Sequence, residues 1–201
     1  MHATLEAFIA DCRARAARAP HPADAVEAIA PAMHAFVRGA ERFLRPEHYR
    51  ADPGHYARNA IYIAPEQDLS LFALVWTPGQ WTPIHDHGSW GVVGVLRGTL
   101  HEKSYVRMNP HQDGDEGIDL KPGGVFLLDP GTITSFVPNP DHIHRTGVPG
   151  EAEPVVSLHL YGRNMDSFHV YDLEARQRRR VNVSTKPPPP PVGGTTTTVS
   201  T

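Results

Sequence analysis

The sequence predicts a mainly β protein, a jelly-roll barrel, with helices confined to its N-terminal end. Short apolar-rich runs recur from residue 59 onward at a spacing of roughly 8–12 residues, the signature of a β-sandwich or barrel. Twenty prolines and 17 glycines in 201 residues suit a chain with many turns. Helical periodicity, in contrast, is confined to the first 44 residues.

Residues 4–18 (T-L-E-A-F-I-A-D-C-R-A-R-A-A-R) read as an amphipathic helix. Thr4 serves as its cap, and Leu5, Phe8, Ile9 and Cys12 share one face at i, i+3, i+4 and i+7. Pro20 and Pro22 end it. A second helix is predicted over residues 24–44, with Val26, Ile29, Met33, Phe36, Val37 and Phe43 facing the core and Pro31 as a point of kinking or splitting. Both helices are expected to pack on the outside of a sheet. Strands at 59–64 and 69–76 are joined by the hairpin P-E-Q-D, and Thr77-Pro78-Gly79 turns the chain into a strand bearing His85 and His87. Runs at 90–96 and 99–107 meet at Arg97-Gly98 and lead to a polar loop over 109–117. Lys121-Pro122-Gly123-Gly124 is read as a turn before a strand at 125–128, and Asp129-Pro130-Gly131 as another. Segments around 135–137, 142–146 and 155–161 complete the series.

This divides the chain into a helical segment (1–50), a barrel (51–183) and a Pro/Thr-rich tail (184–201) that lacks a hydrophobic period and is expected to be disordered. The basic run Arg176 to Arg180 is read as a solvated face. A net charge of −3 supplies no global field for nucleic acid or a membrane surface. The single cysteine, Cys12, allows no disulfide within the chain. Without a signal-like segment or an apolar run near the roughly 18 residues of a membrane span, a soluble, cytoplasmic protein with no obligatory protein partner is expected.

Thirteen histidines is a high count, and two of them stand one residue apart in G-Q-W-T-P-I-H-D-H-G-S-W-G. In an extended segment residues i and i+2 share a face, so His85 and His87 point the same way and Asp86 points to the other side. Two such imidazoles either grip one divalent metal ion or are buried and hydrogen-bonded. His142 and His144 in D-H-I-H-R-T also share a face, so alternation does not choose between them as a further ligand. Ser157, His159 and Tyr161 in S-L-H-L-Y alternate likewise, with Leu158 and Leu160 opposite. On its own that segment reads better as an ordinary half-buried strand than as a relay, and Arg58 on its own reads as a surface cation.

The glycine and histidine spacing resembles the first motif of the cupin superfamily, G-x5-H-x-H-x3,4-E-x6-G, with Gly79, His85, His87 and Gly98 in register. Gly91 stands where the motif has its glutamate, which removes a carboxylate ligand and implies an all-histidine site. Thiol dioxygenases are cupins that lack this glutamate. In that family the third ligand opens a His-Arg pair, and a Ser-x-His-x-Tyr segment follows thirteen residues later. The pair His144-Arg145 followed by Ser157, His159 and Tyr161 repeats the interval. The chain thus resembles the cysteine dioxygenase and 3-mercaptopropionate dioxygenase type over roughly residues 53–162, with Tyr56-x-Arg58-Asn59 and Trp76 as further matches.

The resemblance implies a cupin barrel holding Fe(II) on His85, His87 and His144. It implies a Ser157–His159–Tyr161 relay that acts on substrate, and Arg58, with Tyr56 beside it, binding the carboxylate of a small thiol. Arg163 is a further candidate for a second acidic group, and His142 a neighbour of the site. The expected reaction adds both atoms of O2 to sulfur to give a sulfinate, with cysteine the favoured substrate and 3-mercaptopropionate or mercaptosuccinate the alternatives. Glycine at 91 departs from the animal enzymes, which carry there a cysteine cross-linked to the relay tyrosine. Trp90-Gly91 and Tyr161-Gly162-x-Asn164 look more like the bacterial 3-mercaptopropionate enzymes, which however usually carry glutamine in place of Arg58. Competing readings are a cupin enzyme acting on carbon and a non-catalytic ligand-binding cupin.

Overall fold

Two helices lead the chain in the computed structural model, which describes residues 2–110, 114–138 and 142–183. The expected tail, 184–201, lies outside the described residues. Helix α1 (Ala3–Arg18) is capped by His2, whose Nδ1 accepts from the Thr4 N–H at 3.2 Å, so Thr4 sits inside the first turn rather than at the cap. Helix α2 (Pro22–Val37) starts on a proline whose missing N–H has no helical partner to lose, and it runs through Pro31 without a break. It ends at Val37, short of the expected residue 44, and a 3-10 turn follows over Ala40–Arg42. Every apolar position assigned to the two helix faces is buried, from Leu5 to Phe43. Burial pushes the Cys12 thiol up to about 12, so the lone cysteine stays an inert thiol. Among the described residues no helix is long and apolar enough to cross a membrane.

Eleven strands follow: β1 (Ala57–Ile63), β2 (Ser70–Trp76), β3 (Ile84–His85), β4 (Gly91–Arg97), β5 (Leu100–Arg107), β6 (Leu120–Leu128), β7 (Ile133–Phe136), β8 (Ile143–Gly147), β9 (Val155–Tyr161), β10 (Ser167–Asp172) and β11 (Gln177–Asn182). They form two antiparallel sheets, in the orders β1-β2-β9-β4-β7 and β11-β10-β3-β8-β5-β6, a jelly-roll barrel. Strand alternation gives the first sheet two different faces. Leu71, Ala73, Val92, Leu158 and Leu160 join the helices in one apolar cluster on the outside. A Cβ on Gly94 would lie 2.4 Å from Val37 Cγ2, so glycine there lets α2 lie directly on β4. Phe72, Leu74, Trp76, Val93, Val95 and Tyr161 belong to a second cluster, with Leu100, Leu128 and Phe136, inside the barrel.

Apart from the strand expected to bear both His85 and His87, which ends at His85, the strands depart from expectation in two places. Lys121–Gly124 is not a turn but part of β6: the register against β5 shifts between Lys103 and Tyr105, where Ser104 Oγ accepts from Gly124 N at 2.7 Å. The second is the β10–β11 hairpin. The basic run is the solvated face expected, with Arg176, Arg179 and Arg180 exposed, but from residue 177 on it is also strand β11, and Arg178, its side chain 20% exposed, donates to Asp115 Oδ1 at 2.7 Å. Arg180 donates to Ser167 Oγ at 2.8 Å.

The missed strand β10 is what braces the two-residue β3, through Val170 opposite His85 and Tyr171 opposite Ile84. Asp86, turned away from its histidine neighbours as alternation requires, reaches the same strand. Its carboxylate, 2% exposed, accepts from Tyr171 Oη at 2.8 Å, from His169 N at 3.2 Å and contacts His169 Nδ1 at 3.1 Å. Replacing Asp86 by Ala strands those donors in a buried site and is expected to lower unfolding stability by about 3 kcal/mol. Urea denaturation measures this; a loss below about 0.5 kcal/mol, the size of an ordinary surface change, would deny the brace.

Candidate metal centre and its cavity

The segment bearing His85 and His87 is held against β8 from two sides. Thr82 N donates to Thr146 O at 2.8 Å, and Thr146 N donates to Thr82 Oγ1 at 2.9 Å. One step further along, His85 and His144 are direct cross-strand partners. His87 completes the group: its ring centroid lies 4.8 Å from that of His85 and 5.0 Å from that of His144, while His85 and His144 are 4.7 Å apart. Each of the three offers a nitrogen within 4.8 Å of the others.

The second ring nitrogens decide which atoms are free. His85 Nδ1 bonds Pro83 O at 3.1 Å, and His144 Nδ1 bonds Glu102 Oε2 at 3.2 Å, which leaves Nε2 of each as the lone-pair nitrogen. His87 Nδ1 is buried without a hydrogen-bond partner among the described residues. Burial lowers the pKa of His85 and His87 well below the ordinary value, and neighbouring imidazoles lower it further. Burial also lowers His144, against the opposing pull of Glu102. All three rings are therefore neutral donors. For Glu102, 5% exposed, burial pushes the carboxyl up, but hydrogen bonds from His142 and His144 outweigh it and hold the group below the usual carboxylate range. Three neutral imidazoles with a free face suit a divalent transition ion such as Fe(II), and no carboxylate belongs to the set.

Gly91 explains that absence in steric terms. It pairs with Tyr161 across β4 and β9, and a Cβ on it would lie 2.3 Å from Phe136 Cζ. Phe136 in turn stacks on His87, with centroids 4.1 Å apart and planes at 21°. A glutamate or a cysteine at 91 would have to displace a ring that is packed on one of the three histidines.

Ser157, His159 and Tyr161 lie side by side on β9 and are hydrogen-bonded in that order: Ser157 Oγ to His159 Nε2 at 2.9 Å, His159 Nδ1 to Tyr161 Oη at 3.1 Å. Trp76, one strand away, adds a direction. Its indole N–H can only donate, and it reaches Ser157 Oγ at 3.0 Å. Ser157 is fully buried, so wasting its hydroxyl proton would be costly, and that proton goes to His159 Nε2. His159 Nδ1–H then donates to Tyr161 Oη, which leaves the tyrosine's own proton to be directed into the cavity. Burial pushes Tyr161 up and His159 down to about 3, so the chain of bonds holds a neutral imidazole and a protonated phenol.

One cavity gathers the three histidines, His159, Tyr161, Tyr56 and Arg58. Arg58 sits over the Phe72 ring at 4.8 Å and donates to Met165 O at 2.6 Å; Tyr56 stacks on Trp76, with centroids 4.6 Å apart. Among the described residues no acidic side chain lines the cavity. Arg163 does not line it either; its guanidinium donates to the carbonyl and, at 3.4 Å, the hydroxyl of Ser167. His142 packs beside His144, with Nε2 3.1 Å from His144 Nδ1, and is likewise outside the lining. Leu74, Phe168, Met165, Thr82 and Thr146 complete the wall and were not among the expected site residues, nor was Glu102. No sequence period marks Glu102 or Thr82, whereas alternation along β8 from His144 could have led to Thr146.

Comparison with known proteins supports the same region. The family model for cysteine dioxygenase type I matches residues 21–174. Human cysteine dioxygenase type 1 is 26% identical over 134 residues, which covers 66% of this chain and 64% of the relative. The Bos taurus protein of the same name is 28% identical over 131 residues, 65% of this chain and 62% of its own. The chain thus spans less than two thirds of the length of these relatives. Among solved structures, an uncharacterized conserved protein with a double-stranded β-helix domain from Klebsiella pneumoniae matches 62% of this chain and 92% of its own, at 20% identity and TM-score 0.43. The jelly-roll assignment rests on the strand order and not on that match.

The buried neutral histidines fix how stability depends on pH. Their pKa values are lowered in the folded protein, so below the unfolded value of about 6.5 the unfolded chain binds more protons than the folded one. Stability is therefore lost as pH falls, by about 1.4 kcal/mol per pH unit for each proton taken up on unfolding. Denaturant midpoints of metal-free protein should drop steadily from pH 6.5 to 4.5; a flat profile would show that the rings are already charged in the fold.

Proposed function

The chain belongs to the cysteine dioxygenase type I family, and from that premise we propose that it is a non-haem Fe(II) thiol dioxygenase. It would convert a small carboxylate-bearing thiol, cysteine in the first instance, to a sulfinate. The observation that carries the reading is the single cavity in which three neutral histidines, one arginine and a relay-held tyrosine converge without an acidic side chain.

His85, His87 and His144 would hold the ion, which when bound would supply a redox-active Lewis acid for thiolate and O2. Arg58, steadied by Met165 O and the Phe72 ring, presents its remaining N–H groups to the substrate carboxylate. That contact aligns the sulfur with the three histidines, so binding energy is used for orientation. Tyr161, its proton turned outward by the Trp76–Ser157–His159 series, donates a hydrogen bond to the substrate. The electrons balance within the reaction: four leave sulfur, O2 takes four, and both oxygen atoms end on sulfur, so no external reductant is needed. The apolar surfaces of Phe168, Met165 and Leu74 restrict water at the reacting end. 3-Mercaptopropionate is the second reading, because the cavity lacks an acidic side chain that would meet a free ammonium.

Oxygen uptake by iron-loaded protein, measured with cysteine, 3-mercaptopropionate, mercaptosuccinate and cysteamine, tests the reading. Sulfinate formation with at least one carboxylate thiol is expected. Arg58→Ala should then lower kcat/KM for carboxylate thiols by roughly 10–100-fold, the worth of about 1.5–3 kcal/mol for hydrogen bonds to a charged group. Cysteamine, which lacks the carboxylate, should be far less affected. No thiol-dependent uptake, or equal losses across the panel, would reject the assignment.

A further inference from the structure

His144 belongs to a second group of converging donors. Its Nδ1 lies 3.2 Å from Glu102 Oε2; His142 Nε2 lies 3.2 Å from Glu102 Oε1 and 3.1 Å from His144 Nδ1. Hydrogen bonding cannot satisfy all three contacts at once. If both nitrogens donate to the carboxylate, two donors are left facing each other; if His142 donates to His144, the carboxylate loses the His144 proton. A cation among these atoms removes the conflict, since each of the three residues then offers a lone pair. The spacing also fits: the nitrogen–nitrogen distance and the distance from each nitrogen to its own carboxylate oxygen are close to the ligand–ligand edge of about 3.3 Å of a tetrahedral zinc ion with bonds of about 2.0–2.1 Å.

We infer that Glu102, His142 and His144 form a second divalent-cation site, of the two-histidine, one-carboxylate kind that takes Zn2+, and that it excludes metal from the three-histidine centre. The exclusion follows from the shared ring. A cation on His144 Nδ1 moves the ring proton to Nε2, the nitrogen that must face His85 and His87 with its lone pair free. Both cations can be held only if the ring gives up its remaining proton and bridges as an imidazolate. The His142 side chain is 27% exposed and gives a path in from solvent, whereas Glu102 and His144 are at 6% and 5%. Zinc arriving from behind would thus disable the centre without entering the substrate cavity. The exclusion deepens the proposed function; the site itself does not depend on it.

The test has two arms, neither of which reads thiol oxidation. In metal-free protein carrying His85→Ala, or separately His87→Ala, the front set is broken and the rear set kept. Titration against a chromophoric zinc chelator should find one zinc bound in each. Adding His142→Asn should weaken it by more than the roughly 10–100-fold that losing a mere outer-sphere partner costs. In the second arm the full, unmutated chain is loaded with Fe(II) and titrated with Zn2+ while released iron is measured. His142→Asn, which alters a partly exposed side chain, should need a severalfold higher zinc concentration for the same release. Zinc binding absent from both front-site variants, or indifferent to His142→Asn in either arm, would overturn the inference. A catalytically inactive protein that still shows His142-dependent zinc binding would separate failure of the proposed reaction from failure of this site.

Discussion

Four imidazoles buried inside one barrel can coexist only if they are uncharged, and three of them have a partner for the second ring nitrogen. That constraint organises the site. His85 gives its Nδ1 to Pro83 O, His144 to Glu102 and His159 to Tyr161, and every one of these partners is supplied by a strand or turn with a fixed register. The sheet therefore does more than carry the side chains. It selects the tautomer of His85, His144 and His159, and so decides which of their lone pairs face the cavity. The brace behind this is short: β3 has two residues, with β8 on one side and β10 on the other, and Asp86 ties its far side to Tyr171 and His169. Loss of that brace would release the H-x-H pair even though Asp86 is not part of the cavity lining.

Much of this is legible in the sequence because strand alternation is strict. His85 and His87 on one face with Asp86 on the other, and Ser157, His159 and Tyr161 inside with Leu158 and Leu160 against the helices, follow from a period of two alone. The meeting of His144 with His85 does not, because register between distant strands has no local signal; a family resemblance was needed to prefer His144 to His142. Glu102 sits in T-L-H-E-K-S-Y, where a lone acid on a strand looks solvent-facing, and its burial comes from lying beside β8 on one side and β6 on the other. The β10–β11 hairpin was hidden for a similar reason. Its second strand, Q-R-R-R-V-N, has no apolar face, and it is stabilised by Asp115, Ser167 and its partner strand. Lys121–Gly124 carries turn residues, but a bulge and the Ser104 hydroxyl absorb them into β6.

Gly91 connects the packing to the chemistry. The space a side chain would need is filled by Phe136, which lies against His87, and the residue across the sheet is Tyr161. Glycine here both withholds a carboxylate from the histidine set and leaves Tyr161 Oη free of any covalent partner from that position. The tyrosine must then be placed by hydrogen bonds, and the series from Trp76 through Ser157 and His159 does so. Among the described residues Arg58 is the one arginine or lysine on the wall, beside three neutral imidazoles.

The central claim is that His85, His87 and His144, and no carboxylate, surround one iron ion beside which a thiol can bind. X-ray absorption spectroscopy of the Fe(II)-loaded protein measures this directly, before and after addition of cysteine. Scattering from three imidazole rings is expected, with a sulfur neighbour that appears when the thiol is added. Two imidazoles with a carboxylate, or a shell that the thiol leaves unchanged, would contradict it.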